Sequence, residues 1–188
     1  MKVRDSGMPE QALWESLFNV ELILNKMEID RSIDSLVEFG CGYGTFTLPC
    51  ADRVRGNIVA MDIEDEMLQI TAARAAGRKN IICAKRDFVA DGTGIMGNSV
   101  DYVMLFNILH HADPIALLVE AHRILRAGGK AGVIHWNYDP QTPRGPGMDI
   151  RPKPFDMRKW ILQAGFQLSE DRFIDLPPYH YGFVARKG

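Results

Sequence analysis

The chain has 188 residues, of which 46% are hydrophobic and 24% charged, a composition typical of a globular domain. It carries 22 basic and 24 acidic side chains, whereas a protein that binds nucleic acid usually has a basic excess. Cys41, Cys50 and Cys83 share no C-x-x-C spacing, so neither a disulfide framework nor a zinc site is predicted. Without an apolar run that could cross a membrane or a signal peptide, we expect one cytoplasmic domain over residues 1–188.

Hydrophobic periodicity divides the chain into alternating helices and strands. Apolar residues at helical spacing predict a helix over 9–27, with Pro9 suited to its first turn. Short, nearly all-apolar runs predict buried strands over 35–39, 57–62, 81–84, 100–106 and 130–136. The helices between these strands are expected over 45–54, over 65–76, and from a cap at Asp113 to the pair Gly128-Gly129.

The chain after residue 137 changes in character. Closely spaced prolines between 138 and 154 predict a long loop. A short helix capped by Asp156 and ending at Gly165 is expected next, followed by strands over 167–175 and 179–186. Because no helix separates these last two strands, they should form an antiparallel hairpin. The alternation before them predicts an α/β fold, a doubly wound Rossmann-like sheet.

A glycine-rich turn follows the first predicted strand. Gly40, Gly42 and Gly44 allow a tight loop whose backbone N–H groups can approach a ligand. Asp62 ends the second strand, where a carboxylate can accept hydrogen bonds from both hydroxyls of a ribose. Loop and acid together predict a nucleoside site.

Two classes of nucleoside ligand compete for this loop. Dinucleotide-binding loops favour G-x-G-x-x-G, and here the third glycine comes one place early. Glu38, two residues before the loop, would repel a pyrophosphate but could bind an amino group. The loop therefore favours a ligand that carries an ammonium group over a diphosphate.

Five segments, in the expected order, resemble a known family. They are VEFGCGYGT, VAMDIE, AKRDF, DYVMLFNILHH and EAHRILRAGGKAGVIHW. With them, the chain is similar to a class I S-adenosylmethionine-dependent methyltransferase of the small single-domain kind, type 11 or 25. The resemblance implies a seven-stranded sheet in the order 3-2-1-4-5-7-6 with strand 7 antiparallel. It also implies an N-terminal helical lid over residues 1–30, a cofactor-binding core over 33–137 and an acceptor-side segment over 138–188.

The same resemblance assigns roles in binding S-adenosylmethionine. Glu38 and the glycines would hold the methionine half, Asp62 the ribose, and Asp87 with Phe88 the adenine. Asn107 would lie beside the amino acid part of the cofactor. The full set of expected cofactor contacts is Glu38, Gly40, Cys41, Gly42, Asp62, Ile63, Met67, Asp87, Phe88 and Asn107.

The expected catalytic residues are histidines. His110, His111 and His135 are candidates for a general base, which is needed only if the acceptor has a high pKa. A structural, hydrogen-bonded role for His135 is an equal or better alternative. Adjacent histidines at a helix start diverge, so His110 and His111 do not predict a metal site. Candidates for the acceptor pocket are Trp14, His111, Trp136 and Tyr181.

The predicted function is methyl transfer from S-adenosylmethionine to a small-molecule acceptor by in-line displacement. No membrane or nucleic-acid partner is predicted. One alternative is an NAD(P)-dependent oxidoreductase on a related fold, although no Tyr-x-x-x-Lys pair is present. Another is a protein that binds S-adenosylmethionine without turnover.

Overall fold

The computed structural model describes residues 8–170 and 172–188, where eight strands form one sheet. The strands are β1 Ser35–Phe39, β2 Asn57–Asp62, β3 Ile81–Lys85, β4 Val100–Phe106, β5 Leu125–Trp136, β6 Gln167–Leu168, β7 Ile174–Leu176 and β8 His180–Arg186. The helices are α1 Gln11–Ser16, α2 Val20–Lys26, α3 Thr47–Arg53, α4 Asp65–Arg74, α5 Pro114–Ile124 and α6 Pro154–Gln163. Among the described residues, no helix has both the length and the apolar character that a membrane span requires.

The sheet has the predicted doubly wound topology. Its order is β3-β2-β1-β4-β5-β8-β6, and β7 pairs with β8 away from this path. Strands β1 to β5 pair in parallel, whereas β8 runs antiparallel to β5. The predicted Rossmann-like order is therefore confirmed, with one extra short strand. The carboxyl ends of β1, β2 and β4 lie at the same edge, which is where such a sheet binds ligands.

Side chains alternate across the sheet and build two cores. On β4, Val103 and Leu105 pack on one face with α5 and α6, while Tyr102 and Met104 pack on the other with α2 and α3. The Tyr102 hydroxyl donates a hydrogen bond of 2.6 Å to the carbonyl of Met27 and so ties the N-terminal helices to the sheet. Helical layers on both faces explain why the central strands are nearly all apolar.

The predicted single helix over 9–27 is wrong, because two helices occupy this segment. Asn19 interrupts it: its side chain accepts a hydrogen bond of 3.2 Å from the Leu22 N–H and caps α2. The break turns Leu17 and Phe18 into the core. Residues 1–7 of the predicted lid lie outside the described residues.

Two further boundaries differ from the prediction. Helix α5 begins at the predicted Asp113 cap but ends at Ile124, and β5 runs from Leu125 through the glycine pair that was expected to stop the helix. Lys187 stabilises this earlier end, because its Nζ donates to the carbonyls of His122 and Leu125, 2.8 Å each. In α6, Asp156 lies within the first turn and is not the cap.

The C-terminal hairpin is confirmed in part. The predicted strand over 167–175 is two short strands, β6 and β7, and Asp171 between them lies outside the described residues. Both pair antiparallel with β8, β6 at its end near Arg186 and β7 at its start near His180.

The proline-rich loop is organised by the buried side chain of Arg151. Its guanidinium donates to the carbonyls of Pro146 (2.8 and 3.0 Å), Asn137 (3.1 Å), Asp139 (3.0 Å) and Arg144 (3.3 Å). A side chain cannot be added at Gly145, because a Cβ there would lie 2.8 Å from the Arg151 guanidinium and 2.9 Å from the Trp136 ring. Arg151 thus replaces the regular backbone hydrogen bonding that the loop lacks.

Candidate functional site

The glycine loop leaves β1 in a sharp turn that only glycine adopts easily. Gly40 and Gly42 have φ angles of 77° and 51°, in the left-handed region. The N–H groups of Gly40 and Cys41 both donate to the carbonyl of Met61, 2.9 Å each. A Cβ at Gly40 would lie 3.0 Å from the Ile108 side chain. The hydrogen bonds to Met61 therefore hold the glycine loop against β2, and a cleft lies beside the loop.

Asp62, at the end of β2, joins two walls of this cleft. One carboxylate oxygen accepts from the Gly42 N–H at 2.9 Å and the other from the Glu64 N–H at 3.0 Å. Burial raises the pKa of the Asp62 carboxyl, and these two N–H groups oppose that shift. Each oxygen keeps a further lone pair, so the carboxylate can still accept hydrogen bonds from a ligand.

Glu38 lies at the floor of the cleft and is almost completely buried. Thr47 donates a hydrogen bond from its hydroxyl to the Glu38 carboxylate. Burial raises the pKa of Glu38 to about 8, against the effect of that hydrogen bond and with a smaller contribution from the nearby Asp62. A cationic group placed here would favour the ionised form of the carboxyl.

Asn107 and Thr45 present buried polar atoms that have no hydrogen-bond partner. Both amide atoms of Asn107 and the hydroxyl of Thr45 are in this state, and both residues line the cleft. Asn107 also has a φ of 56°, which is uncommon for a residue other than glycine. Because buried polar groups in proteins are nearly always paired, these atoms fit a polar ligand in the cleft.

The cleft has both polar and apolar lining residues. Glu38, Asp62 and Glu64 contribute carboxylates, and no lysine or arginine is found among its described lining residues. The apolar lining consists of Met8, Trp14, Phe46, Phe88, Phe106 and Ile108. Phe88 packs against Phe39 with ring centroids 4.9 Å apart, so its ring is held in place from behind.

The structure brings together most of the residues predicted to bind the cofactor. Those that line the cleft are Glu38, Gly40, Cys41, Gly42, Asp62, Ile63, Phe88 and Asn107. Met67 and Asp87 are not among the lining residues. The carboxylate of Asp87 accepts from the N–H groups of Val89 (3.2 Å) and Ala90 (2.9 Å), which organises the turn after β3.

Of the three histidine candidates, only His110 lines the cleft. His135 lies directly behind it, fully buried, with its Nε2 atom 3.3 Å from Nδ1 of His110. The Nδ1 atom of His111 accepts from the Asp113 N–H at 3.0 Å, at the start of α5. The predicted histidines therefore separate into one cleft residue, one supporting residue and one helix-start residue.

The aromatic candidates for the acceptor pocket also separate. Trp14 lines the cleft, and Trp136 packs edge-on behind it at a centroid distance of 6.0 Å. Tyr181 lies on the opposite face of the sheet, where its hydroxyl donates 2.8 Å to the carbonyl of Pro152. Trp136 thus supports the pocket wall, whereas Tyr181 is placed in the core.

Six lining residues were missed in the sequence. They are Met8, Thr45, Phe46, Glu64, Phe106 and Ile108. Thr45 and Phe46 directly follow the glycine loop, and Phe106 and Ile108 flank Asn107. Their position next to the motifs was a usable signal, because the turns that present a motif residue also expose its neighbours.

The described residues contain no cluster of three or more His, Cys, Asp or Glu side chains that could hold a metal ion.

Comparison with known proteins identifies the family of this fold and cleft. A profile of the methyltransferase domain family matches residues 37–133, more than half of the chain. The chain belongs to this family. The matched segment contains the glycine loop, Asp62 and Asn107, so the predicted class I S-adenosylmethionine-dependent methyltransferase family is confirmed.

The individual relatives of this chain are distant. An uncharacterised methyltransferase of Mycobacterium tuberculosis is 29% identical over 102 residues, which cover 54% of this chain and 39% of the relative. The match thus spans well under half of that relative. A SAM-dependent methyltransferase from Aquifex aeolicus superposes with a TM-score of 0.81 at 20% identity, covering 94% of this chain and 93% of that one.

A solved structure with the same fold is named for a different activity. The structure of the [4+2]-cyclase SpnF superposes with a TM-score of 0.73 at 16% identity, covering 98% of this chain and 84% of that one. A fold shared at this identity does not define the reaction, which must be argued from the site.

Proposed function

We propose that this chain binds S-adenosylmethionine in the cleft and transfers its methyl group to a small-molecule acceptor. The observation that carries the proposal is the unpaired, buried amide of Asn107 beside the glycine loop. An amide that offers both a donor and an acceptor matches the amino acid end of the cofactor, which carries a carboxylate and an ammonium group.

The lining of the cleft supports one orientation of the cofactor. Glu38 and Asn107 would hold the methionine half, Asp62 would accept hydrogen bonds from the ribose hydroxyls, and Phe88 would pack against the adenine ring. The bound cofactor supplies a methyl group on a sulfonium, which a lone pair of the acceptor displaces in line. The protein contributes orientation and the exclusion of water.

The aromatic lining of the cleft supports a small, uncharged acceptor. Trp14, Phe46 and Phe106 provide flat hydrophobic surface, and His110 lines the same cleft. No described lining residue is a lysine or arginine, and the carboxylates of Asp62 and Glu64 would repel a carboxylate or phosphate on the acceptor. The only described arginine of the acceptor-side loop with a buried side chain, Arg151, is engaged with backbone carbonyls.

The proposal is tested by isothermal titration with S-adenosylmethionine, S-adenosylhomocysteine and NADH. We expect both adenosyl ligands to bind and NADH not to bind. Asp62→Asn should weaken binding by about 10- to 100-fold, because hydrogen bonds to a charged group contribute about 1.5–3 kcal/mol. Asp65→Asn, three residues away on the exposed side of α4 and paired with Lys85, is the matched control.

Four other outcomes would contradict this function. Binding of NADH alone would favour the oxidoreductase alternative. Failure of all three ligands to bind would refute the assignment of the cleft. Tight binding without release of S-adenosylhomocysteine in a broad metabolite extract would favour a non-catalytic binding protein, and a cyclised product would point to the activity named for SpnF.

A further inference from the structure

The backbone determines which nitrogen of the His135 ring carries hydrogen. Its Nδ1 atom accepts a hydrogen bond of 3.0 Å from the N–H of Trp136. A backbone N–H can only donate, so Nδ1 must present a lone pair. Burial, with further contributions from His110, His180 and Arg151, lowers the pKa of His135 well below its usual value, so the ring is neutral. The single hydrogen of that neutral ring is therefore on Nε2.

The hydrogen on Nε2 of His135 determines the tautomer of His110. The Nε2 atom of His135 lies 3.3 Å from the Nδ1 atom of His110, in a fully buried contact. Since Nε2 of His135 carries hydrogen, it donates and Nδ1 of His110 accepts. A neutral His110 then carries its own hydrogen on Nε2. Two hydrogen bonds in series thus connect the β5 backbone to the protonation of a cleft residue.

We infer that His135 is a positioning residue that holds His110 as an N–H donor and prevents it from acting as a general base through Nε2. A base needs a lone pair at the atom that removes the proton, and the His135 contact removes that lone pair. The role in the reaction rests on the proposed function, because it takes the cleft beside His110 as the acceptor site.

His111 leads to the same conclusion by a separate contact. Its Nδ1 accepts from the Asp113 N–H, so a neutral His111 also carries hydrogen on Nε2. None of the three candidate histidines then offers an Nε2 lone pair. An acceptor that is not deprotonated by these histidines must carry a nucleophilic lone pair in its neutral form. A neutral nitrogen or a sulfur atom meets this condition, whereas an alcohol or phenol does not.

The test is NMR of the full chain with ¹⁵N-labelled histidine at neutral pH. Long-range proton–nitrogen spectra show which ring nitrogen is protonated, because a nitrogen without hydrogen resonates at much higher frequency. We expect hydrogen on Nε2 of both His110 and His135 in the wild-type protein. Hydrogen on Nδ1 of His110 in that spectrum would overturn the inference without any variant.

Three variants separate positioning from general structural damage. His135→Phe removes the donor, so the His110 ring should become a mixture of both tautomers. His135→Gln can donate from its amide near the position of Nε2 and should restore the wild-type His110 signal. His180→Phe is the control, since His180 is another buried histidine but has no hydrogen-bond partner. An unchanged His110 spectrum in folded His135→Phe would refute the positioning role.

Titration of S-adenosylhomocysteine into the same samples tests the proposed function separately from the positioning role of His135. His135 is not among the described residues that line the cleft, so the affinity should be unchanged in His135→Gln. If the ligand does not bind the wild-type protein, the proposed function fails while the tautomer of His110 is still read from the spectrum. If the ligand binds and the tautomer is wrong, only the positioning role fails.

Discussion

Acidification should weaken the binding of S-adenosylmethionine through Glu38. The pKa of this carboxyl is raised to about 8, so most of it is protonated at neutral pH before the ligand binds. Pairing with the ammonium group of the cofactor requires the ionised form. Each pH unit below about 8 then costs about 1.36 kcal/mol of binding free energy. Between about pH 7 and pH 6, where the cofactor amine stays protonated, the dissociation constant should rise about tenfold.

Isothermal titration at several pH values within this range measures the effect directly. Near pH 7, in two buffers with different ionisation enthalpies, binding should release close to one proton per site. Glu38→Gln should bind more weakly and lose the pH dependence. Glu64→Gln removes another carboxylate of the same cleft and should retain the slope. A wild-type affinity that does not change with pH, or a slope that persists in Glu38→Gln, would refute the reasoning.

Four further predictions concern stability and the acceptor. Because the pKa of Glu38 in the folded protein exceeds its ordinary value of 4.5, its contribution to stability is fully present below that pH and is lost as the pH rises through about 8. Ligand-free Glu38→Gln should therefore be more stable than wild type in urea unfolding at alkaline pH but not at acidic pH. His180→Phe should raise the melting temperature, because His180 lies between Phe18 and Trp136 and both of its ring nitrogens lack hydrogen-bond partners. An unsatisfied buried group costs about 1–3 kcal/mol, and each kcal/mol shifts the melting temperature of a domain of this size by roughly 2–4 °C. A lower melting temperature would show an unrecognised hydrogen bond. Arg151→Lys should lower the stability by at least about 1–3 kcal/mol in urea unfolding, because lysine cannot reach the same carbonyls; an unchanged midpoint would contradict this. In a screen for release of S-adenosylhomocysteine, an aromatic amine should be methylated in preference to the phenol of the same skeleton, and the reverse preference would show that a base operates.

The strands and the cleft residues that directly follow them were predictable because their signals are local. A buried parallel strand is a short apolar run, and β1, β2 and β4 were predicted with the bounds that the structure has. The loop glycines and Asp62 follow such strands directly, so the topology brings them together at one sheet edge.

The remaining errors come from contacts distant in sequence. The break at Asn19 depends on the burial of Phe18 against Phe46, and the early end of α5 depends on Lys187 near the C-terminus. Which ring nitrogen of a histidine carries hydrogen depends on neighbours such as Trp136 that spacing alone does not reveal. Tyr181 was assigned to the pocket from its position in the chain, but the pleat of β8 turns it to the other face.

The hydrogen bonds of Arg151 have a consequence for how the proline-rich loop can change. Its conformation depends on one side chain and a few carbonyl oxygens, which every residue type possesses. Exposed positions of the loop, such as Gln141 and Asp149, can therefore exchange side chains while the backbone path is kept. Gly145, pressed between Arg151 and Trp136, is the exception. The loop backbone is thus held by one internal side chain while its exposed surface can change, which makes it a suitable place to redesign this protein.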